Sequence, residues 1–198
     1  MVGCEEEDSM GFSGQSNKYA QLRDPALCWE VKDVFSEGRC RQLIEMAEAK
    51  GFLRVGHGTP KKQIRHNKRV IVTDAALAEE LFGKVKEVVP ASLVGLEPVG
   101  ANDWLRFYKY GQGDFFRPHK DNSLIINPTR RSFLSIVVYL NDDFEGGQLH
   151  LPGQGRDIQP RPGLAVVFSH WMVHESRPIT EGVKYAFRSD VIYGAVAS

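Results

Sequence analysis

From Trp104 onward, short β-rich runs alternate with turns made of Gly, Pro, Asn and Asp, and no helical period recurs. The runs cover residues 104–110, 115–119, 133–140, 148–151, 156–158, 165–168, 173–176 and 184–193. So many short strands in about ninety residues predict a jelly roll or small barrel, because closing a sheet on itself removes its open edges. The mouth of that barrel is where a functional site is expected.

The first half of the chain reads as support for this core. Residues 1–24 are rich in Gly, Ser, Gln, Asn and acidic side chains, with few large apolar ones to bury, which predicts a flexible tail. Residues 25–198 form one domain, with helical support over 36–90 and the β core over 99–194. Alternation over 27–35 suits a strand. Ser36 then has the character of an N-cap for a helix running through Lys50 and closed by Gly51, with Leu43, Met46 and Ala47 as its apolar stripe and Ile44 beside it. A second helix is expected from the cap Asp74 to about Val89, burying Leu77, Leu81, Val85 and Val88 and stopped by Pro90. Between them, residues 51–67 are Gly-rich and then basic. The run Lys61, Lys62, Arg65, Lys68 and Arg69 precedes a strand at 70–73 and is read as a solvated hairpin whose charges keep an edge soluble, in preference to a mobile substrate-facing loop.

Composition narrows the function classes. The 25 basic and 25 acidic residues cancel, so no global field attracts nucleic acid or an anionic membrane. Cys4, Cys28 and Cys40 are an odd number without C-x-x-C spacing, which indicates neither a disulfide framework nor a zinc site and suits a reducing compartment. The first fourteen residues are acidic where a signal peptide is basic and then apolar, and no stretch has the length of a membrane span. These features lead us to expect a soluble cytoplasmic protein.

One hexapeptide, Arg117-Pro118-His119-Lys120-Asp121-Asn122, concentrates the chemistry. On a strand the side-chain period is two, so His119 and Asp121 share a face and Lys120 takes the other. An isolated His-x-Asp is more often structural than functional. Here His174 follows in the run after a buried-looking strand, and Lys184 comes ten residues later. Two His and one carboxylate leave three octahedral positions open, the arrangement of non-heme Fe(II) oxygenases. A nearby lysine suits the far carboxylate of an anionic co-substrate.

The C-terminal half resembles the Fe(II)- and 2-oxoglutarate-dependent dioxygenases of the prolyl 4-hydroxylase type. The matching pieces are Tyr110-x-x-Gly113-x-x-Phe116-x-x-His119-x-Asp121, the run from Tyr139 to Gly147, Pro160-x-Pro162-Gly163, His174 with Lys184, and Arg188-Ser189-Asp190-Val191-x-Tyr193. The resemblance implies a mainly β, double-stranded β-helix fold with supporting N-terminal α-helices. It further implies that His119, Asp121 and His174 hold Fe(II) and that Lys184 meets the far carboxylate of 2-oxoglutarate. Tyr139 occupies a family position that also reaches this carboxylate, Ser135 stands where the family has Thr, and Tyr110, in preference to Tyr108, faces the co-substrate. His170 and His150 fall outside the motif and are read as ordinary, with His170 and Trp171 placed at the border of the substrate at most. The implied reaction consumes O2, with ascorbate as an accessory reductant, releases succinate and CO2, and hydroxylates a prolyl residue of a peptide or protein. The alternatives are hydroxylation of a free amino acid or small metabolite and a non-catalytic 2-oxoglutarate sensor. A nucleic-acid alkyl hydroxylase, raised by the basic run, is opposed by the zero net charge.

Overall fold

The computed structural model of the protein describes residues 19–55 and 64–195. Residues 1–18 of the expected tail, and Lys61, Lys62 and Gln63 of the basic run, lie outside them. The expected tail nevertheless ends earlier than residue 24. Ala20–Arg23 form a 3-10 turn in which Leu22 is completely buried, because its side chain joins the core and its carbonyl accepts a hydrogen bond from the Ser169 hydroxyl.

In chain order the elements are β1 (Cys28–Val31), α1 (Glu37–Lys50), β2 (Leu53–Val55), β3 (Arg65–Thr73), α2 (Ala75–Val85), β4 (Glu97–Ala101), β5 (Trp104–Tyr110), β6 (Phe115–His119), β7 (Ile125–Asn127) and β8 (Arg130–Tyr139). There follow β9 (Phe144–Gly146), β10 (Leu149–Leu151), β11 (Arg156–Ile158), β12 (Ala165–Ser169), β13 (His174–Ser176), β14 (Ile179–Gly182) and β15 (Lys184–Gly194). Both helices begin as expected. The Ser36 hydroxyl accepts from the Arg39 N–H and the Asp74 carboxylate from the Leu77 N–H, each satisfying a donor that the first turn leaves open. Helix α1 buries Leu43 and Ala47 together with Cys40, while Met46 and Ile44 are half-buried. Helix α2 is shorter than expected. Its last helical bond is Lys86 N–H to Phe82 O, the chain then tightens into a turn, and Val89 is buried in the core with Val88 half-buried against it.

Ten strands follow the path β1-β12-β8-β15-β5-β3-β6-β13-β10-β11, with β2, β4 and β7 attached at its sides and β9 paired with β14 in a separate ribbon. All these pairings are antiparallel, and the whole is a jelly roll. The curl is made by β3, which pairs with β5 over Lys68–Thr73 and with β6 over Arg65 and His66. This corrects the reading of the basic run as an edge. The described part of it lies between two strands, because the sheet needs a shared member where it folds over.

Strand β8 shows how one sequence serves two layers. Leu134, Ile136 and Val138 point outward to the helices, where they join Leu43, Leu77, Leu81 and Phe187. Ser135, Val137 and Tyr139 alternate to the inside. On the outer layer Phe187 is fully buried and stacks on Phe107 at 4.9 Å. Its truncation to Ala costs about 3–5 kcal/mol by the usual cavity relation. The Pro160-x-Pro162-Gly163 run is a turn of positive φ (74°) at Gly163, where a Cβ would sit 2.1 Å from the Phe35 carbonyl oxygen. Among the described residues no helix is long and apolar enough to cross a membrane.

Candidate metal centre

Strands β6 and β13 are neighbours in register, with His119 directly opposite His174, and Asp121 follows two residues beyond His119. The result is a cluster whose ligand atoms all lie within 4.8 Å of one another. Asp121 Oδ1 is 3.8 Å from His119 Nε2 and Oδ2 is 3.6 Å from His174 Nε2. Each imidazole is oriented by the backbone. His119 Nδ1 donates to Arg117 O at 2.7 Å and His174 Nδ1 to Met172 O at 3.0 Å, since a carbonyl can only accept. Both Nε2 lone pairs therefore face the cluster, the tautomer a divalent metal needs. Burial, and for His119 also the neighbouring His174, disfavours the imidazolium, taking His119 down to about 4 and lowering His174.

The carboxylate is held from behind. Burial alone would raise Asp121, but the Arg188 guanidinium and, after it, the Ser135 hydroxyl outweigh it and hold the acid at about 2. Arg188 Nη1 donates to Oδ1 and Ser135 Oγ to Oδ2, the latter at 2.6 Å. Ser135 in turn accepts from His170 Nδ1 at 2.9 Å, and Ser132 Oγ donates to His170 Nε2 at 2.8 Å. Arg188 also reaches Asp190 at 2.7 Å, which Arg106 and Asn102 hold from the other side. The two side chains that hold Asp121 are thus each held by a second partner, Arg188 by Asp190 and Ser135 by His170.

A narrow cavity of about 60 Å³ runs from the three ligands to Lys184. Tyr108, Tyr110, Tyr139, Phe116 and Val137 line it. Lys184 is 2 % exposed, and its Nζ donates to Gly147 O at 2.6 Å and to Ser176 Oγ, 4.5 Å from the Tyr110 ring centroid. Among the described residues no carboxylate forms an ion pair with it, and burial drives its ammonium down to about 7. A buried cation without a counter-ion is costly, so an anion entering this pocket would relieve that cost. Gly147, at φ 67°, makes room for this lysine: a Cβ there would lie 3.3 Å from Lys184 Cδ and 2.4 Å from Ile179 Cδ1.

Of the residues singled out from the sequence, His119, Asp121, His174, Lys184, Tyr110 and Tyr139 line this one cavity. Tyr108 lines it too, and Tyr110 is the one beside Lys184, its cross-strand partner. Ser135 does not line it. Its hydroxyl is turned to Asp121 and His170, because Ser135 lies two steps along β8 from Val137 and four from Tyr139, at the metal end. His170 is not at the substrate border either: it is 1 % exposed and braces Ser135. Arg188 was quoted in the motif without a role. Period-two counting from Lys184 would have found it, since Lys184, Ala186, Arg188 and Asp190 share one face of β15.

Residues 105–189 match the family described as the 2OG-Fe(II) oxygenase superfamily. A protein of Acanthamoeba polyphaga mimivirus, provisionally named a prolyl 4-hydroxylase, is 21% identical over 188 residues, covering 84% of this chain and 75% of its own length. Among solved structures, the viral collagen prolyl hydroxylase of Paramecium Bursaria Chlorella virus-1 in its 2-oxoglutarate complex superposes with a TM-score of 0.67 at 18% identity, covering 88% of this chain and 98% of that one. A Pseudomonas putida prolyl-4-hydroxylase superposes at 0.59 with 22% identity, covering 89% and 97%. At these identities the superpositions establish the fold.

Proposed function

We propose that this chain, a 2OG-Fe(II) oxygenase of the prolyl 4-hydroxylase type, hydroxylates a prolyl residue of a peptide or protein. One observation carries the reading: three oriented ligand atoms within 4.8 Å open onto the same cavity as a buried lysine that pairs with no carboxylate among the described residues. Fe(II), 2-oxoglutarate and O2 together supply oxidative decarboxylation to succinate and CO2, with one oxygen atom entering a substrate C–H bond.

The donor set fits this chemistry. His119 Nε2, His174 Nε2 and one Asp121 oxygen would hold the iron on one side, leaving the remaining positions to the cavity. Arg188 and Ser135 keep the Asp121 carboxylate from rotating and keep it ionised. Lys184 would take the far carboxylate of 2-oxoglutarate and become a full ammonium on doing so, with Tyr110 and Tyr139 lining the same cavity and the Tyr110 ring beside the ammonium. Val137, Leu149 and Phe116 wall the cavity and exclude water.

An anaerobic titration of metal-free protein with Fe(II) and 2-oxoglutarate should give the visible charge-transfer band of the chelate. Admitting O2 with a proline peptide should then release succinate and add one oxygen to the proline. His119→Ala and Asp121→Ala should lose both signals. Absence of the band in folded wild-type protein would refute the metal-site reading.

A further inference from the structure

Two aromatic side chains on β6 carry arginines beside the candidate iron site. Phe116 lies against His119, ring centroids 3.5 Å apart and nearly parallel, and the Arg65 guanidinium sits over Phe116 at 5.4 Å. With His119 covering one face of the ring, Arg65 takes the other. Next to it the Arg117 guanidinium sits over Phe115 at 5.1 Å, while His66 lies nearly parallel to Phe115 at 6.3 Å. The register of β3 against β6 produces this: Arg65 pairs with Phe116 and His66 with Phe115.

The charges here are not equivalent. Arg54, on the adjacent β2, is neutralised by the buried Asp114, which also holds His66. Arg65 forms no ion pair among the described residues. A guanidinium lying on a phenyl ring is held flat by its face, and its N–H fork stays free at the edge to bind a carboxylate in two places.

We propose, on the basis of the peptide-hydroxylase reading above, that the substrate is an acidic peptide. An Asp or Glu about two or three residues from the oxidised position, at about 3.3 Å per residue of extended chain, is received by Arg65. A nucleic acid is the poorer fit. Phe115 and Phe116 already carry guanidinium groups where bases would stack, and the cavity of about 60 Å³ is narrow.

The test uses peptides of one sequence with a single proline and Asp, Asn or Lys two or three residues to either side. Binding of fluorescein-labelled peptide to the full chain loaded with Fe(II) and 2-oxoglutarate without O2 is read by anisotropy, and oxygen addition after O2 is admitted is read by mass. The Asp peptide should exceed the Asn peptide about tenfold in affinity and in kcat/KM, the margin shrinking with salt. Arg65→Glu should move the preference to the Lys peptide, and Arg65→Gln, which keeps a planar polar group, should flatten it. Equal treatment of the Asp and Asn peptides by the wild type, or an unchanged ranking in both Arg65 variants, overturns the proposal. So does displacement of the Asp peptide by a single-stranded oligonucleotide at lower concentration than by the unlabelled peptide. Selective binding of the Asp peptide with no oxygen gained overturns the prolyl reading and leaves the acidic-peptide site standing. Oxygen added equally to all three peptides does the reverse.

Discussion

Replacing Lys184 by Met should make the metal-free, ligand-free protein more stable while abolishing its response to 2-oxoglutarate. The ammonium is 2 % exposed and burial carries it from its ordinary value of 10.5 to about 7. At about 1.4 kcal/mol per pH unit, the folded protein at or below pH 7 bears a penalty of roughly 5 kcal/mol relative to the unfolded chain. Methionine keeps the length of the side chain and removes that penalty, but leaves the buried Gly147 O without its donor, at about 1–3 kcal/mol, while the half-buried Ser176 hydroxyl can turn to another partner. The net expectation is a gain of about 2–4 kcal/mol in denaturant unfolding at pH 7. The pH dependence isolates the cause. Between about pH 7 and 10.5 the unfolded chain holds a proton on Lys184 that the folded protein has shed, so wild-type stability should rise with pH across that window. In Lys184→Met this rise should vanish. With metal present in both proteins, excess 2-oxoglutarate should raise thermal unfolding further in the wild type only, since a ligand bound by the native state alone stabilises by mass action. A variant less stable than wild type at pH 7, or a rise with pH common to both proteins, would refute the assignment of the penalty to this ammonium.

The same ionisation predicts proton uptake on co-substrate binding. Calorimetry at pH 8 in two buffers of different ionisation enthalpy should give apparent enthalpies that differ by a fraction of a proton, because Lys184, depressed to about 7 when alone, is re-protonated by its carboxylate partner. Ser135→Ala should weaken Fe(II) affinity about 10- to 100-fold in an equilibrium titration with a native circular dichroism spectrum, as it removes the donor to Asp121 Oδ2 and the support of His170. Ser135→Thr, which keeps the hydroxyl, should recover most of it. Gly147→Ala should lose 2-oxoglutarate binding about tenfold or more while retaining Fe(II), because its Cβ would press on Ile179 and Lys184 in a backbone of positive φ.

How far the sequence reached is best seen along single strands. Capping and periodicity placed both helix starts and gave Trp104–Tyr110, Phe115–His119 and Arg156–Ile158 to the residue, since these depend on local spacing alone. Strands β2, β4, β7, β9 and β14 escaped, since what makes them strands is the partner each pairs with, β3, β15, β8 and one another, and not a pattern of their own. The paired role of β3 also escaped, because what lies on either side of a strand is set by tertiary pairing and not by its own residues. Ser135 makes the point within the site. Alternation correctly assigns Ser135, Val137 and Tyr139 to one face of β8, but a face does not specify depth. Depth comes from register. Tyr139 stands opposite Ala186, one step from Lys184 on its face of β15, whereas Ser135 stands opposite Asp190 and Phe168, at the Asp121 end. A hydroxyl placed there has the Asp121 carboxylate and His170 within reach, so it serves the candidate ligand and not the Lys184 end of the cavity. The Arg65–Phe116–His119 stack follows the same logic. Its members lie on β3 and β6, more than fifty residues apart at the widest, and only the two-residue pairing that curls the sheet brings an arginine of the basic run to the ring that covers a candidate ligand.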